Sequence, residues 1–408
     1  MTYLPAECLP ATARLTAVVS TPQLLQPLTL RGVTLPNRLA VAPMCQYCVS
    51  DGVVGDYHLA HLGRFALGGF GLVLVEATGV TAEGRISPGD VGLWNDEQVP
   101  GLARVAAFLR EHGSVAAIQL AHAGGKGSTL RPWDGDGPVT AENARPGDVP
   151  WTPVSPSGVP MGEGWPAPRA LALEELPAVR DAFVAAARRA LTAGFQVAEV
   201  HTAHGYLLNE FLSPLTNTRT DAYGGSLENR MRFPLEVVEA VRAVWPADLP
   251  LMVRVSAVDA TRDGTTLADT IAFCRELKAL GVDAIDVSGG GIGSGWEHPI
   301  GYGYQVPFAA AIKEQVGIPT MAVGLLVDPQ QADAVVATGQ ADLVAVAREA
   351  QDDPNFALHA ARALTSSYDA YPVQAGPRLA SRDRLLHRLG PWTGPDPVHV
   401  QPARAAQA

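Results

Sequence analysis

Short runs of apolar and often β-branched residues recur eight times along the chain: Leu39 to Pro43, Leu72 to Ala77, Ala116 to Leu120, Val197 to His201, Leu251 to Ser256, Ala284 to Ser288, Thr320 to Gly324 and Leu343 to Ala347. Their near-continuous apolarity predicts strands covered on both faces. Helical spacing fills most of the intervals. Val179, Phe183, Ala187 and Leu191 form one stripe, with Gly194 placed to end that helix in a left-handed cap, and Leu267, Ile271 and Cys274 form another. Strands alternating with helical crossovers of more than a dozen residues imply a parallel sheet, and eight repeats is the number that closes one. The predicted fold is therefore α/β, a (β/α)8 TIM barrel, with a doubly wound open sheet as the competitor.

The polar residues favour the barrel, because they collect at the C-terminal ends of the runs. Cys45 and Tyr47 follow the first, Gln119 and His122 belong to the third, His201 and His204 to the fourth, and Arg254 lies within the fifth. Gly289 to Gly291 follow the sixth, Gly324 ends the seventh and Arg348 follows the eighth. A barrel gathers those ends on one rim, whereas an open sheet scatters them. The long connection from Leu120 to Val197 is rich in Gly, Pro and Trp, which predicts a capping insertion over about 124–169 after the third strand. Residues 21–370 would form the barrel, 1–20 a loose extension, and 371–408 a tail that is partly helical or disordered.

Composition narrows the function. The 408-residue chain carries a formal charge of -11, which disfavours nucleic acid and acidic membrane surfaces as partners. No apolar run approaches the roughly 18 to 20 residues that span a bilayer. No Lys or Arg precedes Arg14, so the basic start of a secretory signal is missing and a cytoplasmic location is expected. Four cysteines, Cys8, Cys45, Cys48 and Cys274, are too few for a disulfide framework. Cys45 and Cys48 make a lone C-x-x-C without the second ligand pair of a zinc or iron–sulfur site.

The densest polar constellation is His201-Thr202-Ala203-His204-Gly205-Tyr206. Two imidazoles three residues apart and a nearby phenol can hydrogen-bond one small oxygen and deliver a proton beside it. A metal pair and a simple polar strand cap are the alternatives, and no third ligand follows at a telling interval. Gln119 offers a carboxamide suited to the donor–acceptor edge of a flavin pyrimidine. Arg254, inside an apolar strand, demands an anion: either an anionic reduced flavin or a barrel carboxylate. Gly324 and the pair Ala347-Arg348 sit where barrels commonly bind phosphate. No G-x-G-x-x-G follows a first strand, so a Rossmann dinucleotide site is unsupported.

Together these stretches resemble the old yellow enzyme family, in its thermophilic-like bacterial branch. The resemblance is carried by Pro36-Asn37-Arg38, Ala42-Pro43-Met44-Cys45-Gln46-Tyr47, Val75-Glu76-Ala77, Ile118-Gln119-Leu120-Ala121-His122-Ala123-Gly124, Glu199 through Leu207, Glu210-Phe211-Leu212-Ser213-Pro214, Tyr223-Gly224-Gly225-Ser226 and Val253-Arg254-Val255-Ser256. It implies an FMN-dependent NAD(P)H oxidoreductase, an NADPH dehydrogenase or ene-reductase that reduces activated C=C bonds of α,β-unsaturated carbonyl and nitro compounds by ping-pong hydride transfer. FMN would be held by Ala42, Pro43, Met44, Cys45, Ala77, Gln119, Arg254, Gly324, Ala347 and Arg348. The enone-like substrate would meet Tyr47, His201, His204 and the lid residue Lys126, with Tyr206 as proton donor. A homodimer or homotetramer is implied, and no metal.

Departures from the family pattern are Ala347, where Gly is usual and a methyl fits only if the backbone is not left-handed, Cys48 in place of a hydroxyl residue, and a longer tail in which Arg378 is the candidate for a residue reaching a neighbouring subunit. The rival readings are a flavin barrel with an iron–sulfur cluster acting on dienoyl thioesters or amines, a metal-dependent barrel hydrolase, and a non-catalytic or thiol-linked flavin redox sensor.

Overall fold

All eight apolar runs form strands, and the strands close. In the computed structural model, which describes residues 21–293 and 298–391, they are β1 (Leu39–Val41), β2 (Leu72–Gly79), β3 (Val115–Ala121), β4 (Val197–Thr202), β5 (Leu251–Ser256), β6 (Ala284–Ser288), β7 (Thr320–Ala322) and β8 (Leu343–Val346). Each pairs in parallel with its successor, and β8 returns to β1 through Val344↔Leu39 and Val346↔Val41. The fold is a TIM barrel, and the open sheet is excluded. The expected extension over 1–20, Cys8 and the end of the tail lie outside the described residues.

Period-two alternation gives each strand an outward and an inward row. Outward Val73, Val75, Ile118, Ala198, Val200, Val253 and Val255 share one core with Phe183 and Ala187 of the helix Leu176–Ala193 and with Ile271 and Cys274 of the helix Leu267–Ala279. Phe183 is fully buried, and removing such a ring costs about 3 to 5 kcal/mol. Gly194, at φ +88, ends its helix in the expected left-handed cap.

The inward rows change character along the barrel axis. Leu72, Leu74, Val115, Ala117, Val197, Met252 and Ala284 make an apolar lower interior. Two residues further along the same rows stand Glu76, Gln119, Glu199, Arg254 and Asp286, all buried. A short antiparallel hairpin, Leu28–Leu30 with Val33–Leu35, closes the bottom by packing Leu30, Val33 and Leu35 into the apolar part. No apolar run or helical stripe in the sequence marks this hairpin.

After β3 the capping insertion runs through turns at Gly124–Lys126 and Pro132–Asp134 and a small two-stranded ladder of Val154–Ser155 with Arg169–Ala170. Part of the tail is helical, Gly376–Leu389, and contains Arg378.

Candidate active site

Strand register assembles the polar layer. Gln119 lies opposite Glu199, His201 opposite Arg254, and Arg254 opposite Asp286. The Gln119 amide donates to Glu199 Oε1 at 2.8 Å, which fixes its orientation. Arg254 Nε stands 3.0 Å from Asp286 Oδ2. The barrel carboxylate expected as one possible partner for Arg254 is therefore present, and the same side chain also borders a cavity.

That cavity, about 450 Å³, is lined by Ala42, His204, Arg254, Gly324, Ala347 and Arg348 among the residues singled out from sequence, and by Ser288, Gln305 and Tyr304, which sequence reading passed over. A second cluster packs Cys45, Tyr47 and Tyr206 against Ala77, Ile86, Ala121 and Ala123. His201 joins the two halves: its ring meets Tyr206 edge-on at 5.0 Å and His204 edge-on at 5.1 Å. Pro43 and Met44 lead out of β1 between them, and Gln119 sits one layer below, outside the cavity lining.

Hydrogen bonds give the histidine pair a direction. The Ala203 N–H donates to His201 Nδ1 at 3.1 Å, so the proton of a neutral His201 is on Nε2, which faces His204 Nδ1 at 3.3 Å. His204 Nε2 then carries its own proton toward Ser288 Oγ, 2.7 Å away. Both rings are neutral, because burial, followed by neighbouring positive groups including Arg254 and Lys126, holds them well below the usual imidazole range. Tyr206 is pushed well above the ordinary phenol range, first by burial, and keeps its proton.

Two of these residues have left-handed backbone, which costs a side-chain-bearing residue energy unless its surroundings enforce it: Tyr47 at φ +51 and His204 at φ +61. The capping insertion holds both. Arg131 Nε donates to Tyr47 O at 3.1 Å, and Lys126 Nζ donates to His204 O at 2.7 Å. The loop after β1 is fixed from below by Glu76, which accepts the Gln46 N–H at 2.9 Å and the His58 imidazole at 3.1 Å. The Cys45 thiol is pushed well above its usual range by burial and then by the Asp90 and Glu76 carboxylates, so it is no thiolate. Cys45 and Cys48 are both free.

Residues 23–366 match the family described as NADH:flavin oxidoreductase / NADH oxidase. The chain belongs to that family. It is 44% identical over 353 residues to the NADPH dehydrogenase of Geobacillus thermodenitrificans, covering 86% of this chain and 97% of the relative. Among solved structures it is similar to morphinone reductase, with TM-score 0.69 and 29% identity over 83% of this chain and 89% of that one. It is also similar to 2-naphthoyl-CoA reductase, with TM-score 0.72 and 27% identity over 82% of this chain, of which it spans about half the length, 51%. The expected kinship with old yellow enzymes holds, and the family's FMN and NADPH dependence makes this an oxidoreductase rather than a barrel hydrolase.

The residues present fit FMN. Arg254 offers a buried cation to an electron-rich ring, and Arg348 brings a second guanidinium to the same cavity. Gly324, at φ +114, leaves a gap that a methyl would fill, since a Cβ there would come within 3.2 Å of Gln305 N and the Tyr304 ring. Such an opening lets a phosphate approach the backbone. Ala347 has φ -118, so its methyl is compatible with this conformation.

Proposed function

We propose that this chain is an ene-reductase, taking hydride from NAD(P)H and delivering it in a ping-pong cycle to the β-carbon of α,β-unsaturated carbonyl or nitro compounds. The observation that supports this most is the directed chain from His201 through His204 to Ser288, alongside Tyr206. Bound FMN supplies the two-electron hydride chemistry; Ala42, Pro43, Met44, Cys45, Ala77, Gln119, Arg254, Gly324, Ala347 and Arg348 would hold it.

A substrate oxygen beside the pair accepts from His201 Nε2–H. Reversal of the Ser288 hydroxyl, from acceptor to donor, moves the His204 proton to Nδ1 and provides a second donor. Neutral donors of this kind, fixed before the reaction, stabilise the enolate-like charge that develops on that oxygen. Tyr206 keeps its hydroxyl proton and stands against His201, which suits it to protonate the α-carbon. Tyr47, packed in the same cluster as Tyr206, would meet the substrate, with Trp133 of the insertion edge-on to its ring at 6.2 Å. This reading includes a cytoplasmic enzyme working as a homodimer or homotetramer, with residues 124–169 as its lid.

The test is Tyr206→Phe, followed in separate half-reactions. Flavin reduction by NADPH is expected to persist while enone reduction slows by ~10² to 10⁴. Equal losses in both halves would remove Tyr206 from the proton-donor role.

A further inference from the structure

The interior below the cavity holds more acid than base. Glu199 and Asp286 are both fully buried, and Arg254 is the positive group acting on either of them. Of the four carboxylate oxygens, Glu199 Oε1 accepts from Gln119, whereas Glu199 Oε2, Asp286 Oδ1 and Asp286 Oδ2 receive no hydrogen bond from the described residues. Asp286 Oδ2 has the Arg254 guanidinium at 3.0 Å, although without hydrogen-bonding alignment. One guanidinium balances one carboxylate. A second ionised carboxylate, with a bare oxygen in a site closed to solvent, has no compensating charge among the described residues.

We infer that Glu199 and Asp286 hold a single proton between them, seated on Glu199 at rest, and that this pair is a proton-accepting site coupled to the charge of whatever occupies the cavity bordered by Arg254. The groups facing the pair are Gln119 from β3, Arg254 from β5, and each other from β4 and β6. Burial and then the Asp286 carboxylate push Glu199 up to about 8, against the pull of Arg254 and Gln119. Below that pH the cluster of Glu199, Asp286 and Arg254 is neutral; above it, the cluster carries one negative charge.

The direction of coupling follows from electrostatics. Negative charge delivered to the cavity draws on Arg254 and makes a second negative charge beneath it less favourable, so the pair keeps its proton to higher pH. Electrons for that charge come from NADPH, and the proton comes from solvent onto the Glu199 carboxylate. No bond to carbon is made or broken at the pair, which acts as a positioning and charge-setting element behind Gln119 and Arg254. The inference does not depend on which substrate is reduced.

The test is infrared difference spectroscopy of the holoenzyme, grown with isotope-labelled glutamate, across a pH series. A labelled protonated-carboxyl band is expected at pH 7 and should vanish as pH rises through about 8. Its Glu199 component should be missing in Glu199→Gln. It should also be missing at pH 7 in Asp286→Asn, where Glu199 becomes the sole counter-ion of Arg254 and ionises. The midpoint potential of the bound flavin is expected to fall with pH more steeply in the wild type than in Glu199→Gln above that same point, by one extra proton per two electrons. Bands unchanged in both variants, or a wild-type labelled band that does not titrate, would overturn the inference. Glu210 is raised into the same range, so the series is recorded in a Glu210→Gln background, where the titration of the remaining labelled band decides it even if neither further variant folds.

Discussion

Lys126 Nζ donates to the main-chain carbonyl of His204 at 2.7 Å and to that of Gly291 at 2.7 Å. The lysine thereby ties the capping insertion to the loops after β4 and β6, at the residue whose backbone is left-handed. Its ammonium also lies 5.6 Å from the centre of the Tyr206 ring.

Lys126→Met is therefore expected to loosen His204. Two charge-assisted hydrogen bonds are lost, each worth about 1.5 to 3 kcal/mol, and part of that loss reaches the reacting geometry. Enone turnover should drop roughly ten- to a hundredfold, with FMN content preserved. Steady-state kinetics with a flavin count per chain would check this. An unchanged kcat and KM would mean that the insertion holds His204 by other contacts.

Ser288→Ala deletes the partner of His204 Nε2. Nitrogen NMR of the imidazoles should report a mixed tautomer at His204, and the enone half-reaction should slow by about tenfold, the cost of one hydrogen bond at roughly 1.4 kcal/mol. Ser288→Thr, which keeps the hydroxyl, should restore both. Reduction by NADPH should change little.

The buried titratable groups predict an unusual stability profile. His61 and His122 are pushed down to about 4 by burial, and His201 and His204 also lie low. Burial pushes Asp90 up to about 7, and Glu199 and Glu210 to about 8. Between about pH 4 and 6.5 the unfolded chain protonates histidines that the native state leaves neutral, so these make stability rise with pH. The raised carboxyls stay protonated only in the native state, so they make it fall, and the two sets oppose each other. Above about 6.5 the carboxyls act alone. The melting temperature should therefore decline from about pH 6.5 to about pH 8, and Glu210→Gln, which retains an acceptor for the Gly125 N–H, should flatten that decline.

Gly89→Ala should injure the site through packing. A Cβ there would stand 2.3 Å from Tyr47 O and 2.6 Å from Tyr47 C, so the loop after β1 must move. The expected cost is about 1 to 3 kcal/mol in urea unfolding, with a raised KM for an enone substrate. Normal stability together with a normal KM would show that the two loops can separate freely.

Much of this architecture is legible in the sequence because strands covered on both faces leave continuous apolar runs. Their alternation with helical stripes such as Val179, Phe183 and Ala187 then fixes the barrel. The hairpin at Leu28–Leu30 and Val33–Leu35 is not legible, since three-residue strands give too short a pattern to distinguish from loop. The site is legible where polar residues end a strand, as at His201 and Gln119. Glu199 and Asp286 are harder to find because each is a single acidic letter in an apolar run, and only the two-residue step from Glu199 to His201 and from Asp286 to Ser288 marks them as inward. For Arg254 sequence offers two anions, and the structure gives it one while leaving it beside the cavity. The holds on Tyr47 and His204 from Arg131 and Lys126 could not be anticipated, because they end on backbone carbonyls, which carry no residue identity.

Along the inward row of one strand after another, hydrocarbon gives way to ionisable groups at a common height. Rigidity is therefore invested in the lower half of each stave and reactivity in the upper half, on the same continuous segments of backbone. A designer seeking new selectivity can vary Tyr47 or Trp133 above that level while leaving Leu74, Ala117 and Met252 untouched. Damage to those three should reach the chemistry only by melting the scaffold.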